Sequence, residues 1–118
     1  GQQVSTHAYV DALERQSAVV RAMDAWWSNA DVAVTLSTAG CAPLRDVPES
    51  PDSALIWTLA HLPALSAPAF TSPEGLPLGL QIVARRYNDP LLFKFTDQLI
   101  AKGLLPKQGF DQLPEEVA

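Results

Sequence analysis

Two apolar runs, Leu62-Pro63-Ala64-Leu65-Ser66-Ala67-Pro68-Ala69-Phe70 and Leu76-Pro77-Leu78-Gly79-Leu80-Gln81-Ile82-Val83-Ala84, decide the fold. They are joined by Thr71-Ser72-Pro73-Glu74-Gly75, a stretch with the residue types that turns demand. Two dense apolar runs this close together read as the buried middle of a sheet with helices packed against it. The first contributes a strand from Ala64 to Ala67, stopped at Pro68. The second contributes a strand from Leu78 to Ala84.

Upstream, Ser50-Pro51-Asp52 is a helix start. It has a capping hydroxyl, a proline whose missing N–H costs nothing in the first turn, and an acid beside the positive end. That helix runs through Trp57 and must end before Pro63, because the residue ahead of a proline avoids the α region. Ser37 to Pro51 is a loop, broken by Gly40, Pro43 and Pro48. Asp31-Val32-Ala33-Val34-Thr35-Leu36 is a short β-branched strand. Thr6 to about Asn29 is a helix, capped by Ser5 or Thr6, with Tyr9, Leu13, Val20, Met23 and Trp27 at helical spacing and Asp11 one turn from Arg15. About 24 residues span roughly 36 Å, so this helix is expected to pack against more protein than the chain supplies.

Downstream, Asn88 or Asp89 caps a helix with Pro90 at its first position. Leu91, Leu92, Phe95 and Leu99 form its buried stripe, and Gly103 stops it. Residues 1–106 form one unit, and Lys107 to Ala118 reads as a surface tail. The order is α-β-α-β-β-α, an α/β fold with a mixed sheet flanked by helices.

Composition limits the function. A chain of 118 residues makes one domain that buries roughly two-thirds of its unfolded surface. A net charge of −5 with eight Lys and Arg gives no basic patch for nucleic acid or for an anionic membrane. No apolar run approaches the roughly 20 residues that span a bilayer, and Gly1-Gln2-Gln3-Val4 lacks the parts of a signal peptide. The chain reads as if it begins in mid-protein. Its single cysteine, Cys41, forms no internal disulfide and fits a reducing, cytoplasmic setting. No metal or cofactor motif stands out.

The sequence Leu62-Pro63-Ala64-Leu65-Ser66-Ala67-Pro68, followed by Gly75-Leu76-Pro77-Leu78-Gly79-Leu80-Gln81, resembles the closing segment of the amidase signature family. Pro63, Pro68, Gly75, Pro77, Gly79 and Gln81 carry the motif. Asp31-Val32-Ala33-Val34-Thr35 before Ala42-Pro43, and Asp89-Pro90-Leu91-Leu92, extend the resemblance over about residues 6 to 106. Two departures are that the family often has proline where Leu36 stands and commonly has glycine where His61 stands.

The resemblance implies the C-terminal portion of an amidase-signature fold. It also implies service to amide C–N hydrolysis through a serine acyl-enzyme, with a small amide as substrate and no cofactor. Such chemistry needs an activated nucleophile, a base in reach and oxyanion donors. No Gly-Gly-Ser-Ser run is present, and Lys94, Lys102 and Lys107 lie on the last helix and tail, so no catalytic residue is carried over. The isolated chain is expected to be inactive.

The resemblance makes Thr35, Ser37, Thr38 and Cys41 candidates for the substrate cleft, since their loop leaves the end of a sheet strand; the other reading is an ordinary connecting loop. Cys41 lacks the base and cation that a nucleophile requires, and reads as a plain thiol. His61 is either a cleft residue or a helix-end histidine favoured by the dipole. Gln81 reads as a buried amide bonded to backbone rather than a substrate contact. Trp26, Trp27 and Trp57 read as core or interface. A different class of function, a binding or assembly module that kept the scaffold and lost the chemistry, fits the same residues. In either case three apolar strands and three helices leave apolar surface bare, so the chain is expected to self-associate.

Overall fold

The computed structural model describes residues 3–52 and 54–106. Its elements are α1 (Thr6–Trp26), a short 3-10 turn (Trp27–Asn29), β1 (Val32–Leu36), α2 (Ala54–Leu59), β2 (Ala64–Thr71), β3 (Pro77–Ala84) and α3 (Asp89–Ala101). This is the expected α-β-α-β-β-α order. The expected tail from Lys107 to Ala118 lies outside the described residues.

The strands form one sheet in the order β1-β3-β2. Both neighbour pairs are antiparallel, so the sheet expected to be mixed is antiparallel throughout among the described residues. The central strand is β3. Its last four residues, Gln81 to Ala84, are all buried. By contrast β2 is an edge strand with a half-exposed pattern, so only one of the two deciding runs is the buried middle.

Register assigns the faces. Thr35 and Ser66 stand on either side of Gln81, and Ala33 and Ala64 on either side of Val83. On this face Val83 packs with Trp27, Ala60 and Leu62, joined by Met23, Ala33 and Trp57, so α1 and α2 cover it. On the other face Ile82 and Ala84 pack with Leu92 and Leu105, joined by Val32, Leu65 and Phe95, so α3 covers that one. The sheet is thus the middle of three layers.

Two boundaries differ from expectation. The strand β2 does not stop at Pro68 but continues to Thr71, with a register irregularity between Pro68 and Phe70. Proline is tolerated there because an edge strand does not need every N–H, and a bulge absorbs the misfit. The helix α2 begins at Ala54, later than the expected start at Ser50-Pro51-Asp52, and the Ala54 amide donates to Asp52 Oδ1 at 2.8 Å. The α1 stripe is only partly buried. Ser5 caps the helix as expected, yet no residue within α1 is buried, and Tyr9 and Leu13 are exposed. Trp27, the residue directly after the helix, is buried in the core, with the partly buried Met23 of α1 packed against it.

Both α2 and α3 end in the same way. Leu104 donates to the Leu99 carbonyl and Gly103 to that of Ile100, with Gly103 at φ +70. Likewise Leu62 donates to the Trp57 carbonyl and His61 to that of Thr58, with His61 at φ +56. These are two Schellman closures, whose left-handed position suits glycine. A glycine at position 61, as the family resemblance implies, would meet that demand without a Cβ penalty. His61→Gly is therefore expected to raise stability by about 0.5–1 kcal/mol, read as an increase in denaturation midpoint. A lower midpoint would mean that the histidine's contact with Gln16 outweighs its backbone strain.

Candidate cleft and the residues around it

The five-residue connection between β2 and β3 is tightly held. The Ser72 amide donates to Leu76 O at 2.8 Å and the Gly75 amide to Ser72 O at 2.9 Å, with Gly75 at φ +82. The Ser72 hydroxyl accepts from the amides of Glu74 and Leu76, each at 3.2 Å. Ser72, buried here, was not singled out in the sequence; its place before Pro-x-Gly was the available signal. This turn presents Pro77 at the start of β3, beside the loop that leaves β1.

That loop, Thr38 to Asp52, encloses a hollow of about 370 Å³. Thr38–Pro43, Val47–Ser50, Asp52 and Pro77 line it. The size suits a small organic ligand. Its ionisable lining groups are the Cys41 thiol and the carboxylates of Glu49 and Asp52. Within the loop, Thr38 Oγ1 donates to Gly40 O at 2.7 Å, which holds the first turn after the strand.

The candidate residues separate into three places. Thr38 and Cys41 line the hollow, and Cys41 is an exposed thiol. Thr35 and Ser37 sit just before it on the α2 side of the sheet, their hydroxyl oxygens buried without a hydrogen-bond partner among the described residues. His61 stands apart, in a shallow recess with Gln16, Arg21 and Arg86. There Gln16 Nε2 donates to Leu59 O at 3.0 Å and lies 3.2 Å from His61 Nε2, joining α1 to the end of α2. The helix-end placement of His61 is as one of its two readings has it.

Gln81 is buried, as expected, and shares the face of Val83 rather than that of Leu80 and Ile82. The expected backbone partner is not found: its Oε1 has no hydrogen bond among the described residues. Thr35, Gln81 and Ser66 therefore form a polar row across all three strands, between the α1/α2 core and the mouth of the hollow. Their cross-strand alignment was not visible in the sequence, because register between non-adjacent strands is not a local property. Trp26 and Trp27 meet edge to face at 4.9 Å, with Trp27 buried in the core and Trp26 exposed. Among the described residues no group of His, Cys, Asp and Glu is arranged to hold a metal, and no helix is long and apolar enough to cross a membrane.

The motif residues Pro63 and Pro68, on one run, and Gly75, Pro77, Gly79 and Gln81, on the other, thus lie in or beside one hairpin whose β3 arm borders the hollow. The Amidase family model matches residues 1–93. The chain belongs to the amidase family. Among curated relatives, a glutamyl-tRNA(Gln) amidotransferase subunit from Parvibaculum lavamentivorans is 33% identical over 95 residues, covering 73% of this chain and 19% of that protein. Its namesake from Sulfurimonas denitrificans is 51% identical over 35 residues, covering 30% of this chain and 8% of the relative. A solved structure of 6-aminohexanoate cyclic dimer hydrolase in complex with its substrate superposes with a TM-score of 0.76 at 20% identity, over 99% of this chain and 28% of that one. At this identity the likeness establishes the fold. This member of the amidase family spans about a fifth or less of the length of those two relatives.

Proposed function

We propose that this chain is the C-terminal scaffold and cleft wall of an amidase, serving hydrolysis of a small amide through a serine acyl-enzyme formed by residues outside it. The observation that carries the reading is the hollow of about 370 Å³ built jointly by the loop after β1 and by Pro77 of the family motif. Thr38 and Cys41 form its wall, while Thr35 and Ser37 stand behind it. The chain itself contributes shape and hydrogen-bonding surface. Glu49 and Asp52, the carboxylates in the lining, favour a neutral or amine-bearing amide over a carboxylate-bearing one, by simple charge repulsion.

Two expectations follow. Purified chain shows no turnover of simple primary amides, whereas the polypeptide encoded with its upstream reading frame does, and loses that turnover when a serine in an upstream Gly/Ser-rich stretch is replaced by alanine. Amide hydrolysis by the chain alone would overturn the assignment. The bare surface supports a further expectation, that the isolated chain self-associates: Val34, Leu36 and Phe70 are all about half exposed on one sheet face.

A further inference from the structure

Three of the chain's glycines have different reasons to be glycine. Gly75 and Gly103 have positive φ and open space around them, so their need is conformational. Gly79 shows no such backbone angle; its need is steric. A Cβ built there would lie 2.9 Å from the Ser37 Cβ and closer still to the Ser37 Oγ. Real Cβ atoms do not approach a neighbour so closely, and the atom in the way is a short side chain rooted on a strand end rather than the tip of a flexible one.

Ser37 is where β1 ends and the cleft loop begins. Its amide donates to Gly79 O at 2.8 Å, one rung beyond the Leu36–Leu80 pair that closes the ladder. Its side chain therefore lies on the same sheet face as position 79, over the central strand. The next residue, Thr38, already lines the hollow, and so does Pro77, two positions before Gly79 on β3. One point of close approach thus connects both walls. The Ser37 hydroxyl does not hold this contact, since it is buried with no hydrogen-bond partner among the described residues. The shape of the pair holds it.

We propose that Gly79 is a positioning residue: by carrying no side chain it seats Ser37 on β3, and thereby sets where the Thr38–Asp52 loop leaves the sheet and where Cys41 lies in the hollow. That the hollow is a substrate cleft rests on the function proposed above. The seating of the loop does not.

The test uses the chain's own reporter. Cys41 is its single cysteine, is exposed and lines the hollow. Its rate of reaction with a thiol reagent such as dithionitrobenzoate, under native conditions, follows the loop without labelling anything else. Gly79→Ala is expected to change that rate severalfold while the circular dichroism of the folded chain persists. Adding Ser37→Ala leaves the change in place, because the obstructing Cβ remains. Adding Ser37→Gly instead removes both obstructing atoms and returns the rate to within about twofold of Ser37→Gly alone.

An unchanged rate in Gly79→Ala, or a failure of Ser37→Gly to reverse it, overturns the proposal. If Gly79→Ala does not fold, the double variant with Ser37→Gly still decides, since it must then fold as well as Ser37→Gly alone. In the intact polypeptide, the expected signature of Gly79→Ala is a KM raised more than kcat is lowered. A displaced loop with KM unchanged would leave the seating intact and remove the cleft reading.

Discussion

Ile82→Ala is expected to cost about 3 kcal/mol of unfolding free energy and roughly 10–20 °C in Tm. Ile82 is 0% exposed on the central strand, opposite Val34 on one side and Leu65 on the other. It packs in the cluster with Ala84, Leu92 and Leu105 that attaches α3 to the sheet. Truncation removes three carbons from a site surrounded by fixed backbone, so the loss combines transfer and cavity terms. Val34→Ala, one strand over on the same face but 48% exposed, is the control, and there the loss stays below about 1 kcal/mol. Equal costs in chemical denaturation would mean that the α3 layer does not close over β3 as described. The cost would be felt by the whole fold, since stabilities of small domains are themselves only about 5–15 kcal/mol.

Val34→Lys combined with Leu36→Lys is expected to shift the isolated chain from self-associated species to monomer, weakening association by about tenfold or more. β1 is an outer strand of the sheet, and Val34 and Leu36 are 48% and 53% exposed on it. The strand bears no charge and no proline, the two features that commonly protect a sheet edge. The opposite edge, β2, does carry a proline and a register irregularity. Pairing is therefore expected at β1, where a second strand would complete the backbone hydrogen bonds and cover apolar side chains together. Sedimentation velocity over a range of concentrations separates the outcomes. A parent chain that stays monomeric at high concentration would defeat the expectation, and a lysine variant that still associates would move the contact to another surface, such as the bare side of α1.

The elements legible in the sequence are those set by local chemistry. Ser5 caps α1, β-branched residues make β1, and Gly103 closes α3 in the conformation that favours glycine. The Pro63–Pro68 run and the Gly75–Gln81 run together pointed to the family, because a hairpin and its turn are local in sequence. What was not legible depends on neighbours distant in the chain. Pro68 reads as a stop until β2 is known to be an edge. Tyr9 and Leu13 recur at helical spacing, yet that spacing does not say what covers them, and α1 lacks a covering layer over them among the described residues. Gln81 reads as satisfied until its cross-strand companions prove to be Thr35 and Ser66. The hollow followed the same rule: the loop after β1 was legible from its glycine and prolines, while the part of Glu49, Asp52 and Pro77 in the lining required coordinates.

The connections of α1 have a consequence for how the molecule comes apart. A 21-residue helix with no fully buried side chain is held to the rest mainly by Gln16 on the end of α2, the Asp24–Arg86 ion pair, Met23 against the core and Trp27 within it just beyond. Its amides are therefore protected mainly by its own ladder of bonds, while those of β3 are protected by two layers of packed side chains. Opening of the N-terminal two-thirds of the helix breaks almost no core contact, so solvent exchange there proceeds without global unfolding. The molecule is expected to open in two tiers, a deep one centred on the sheet and a shallow one along the helix.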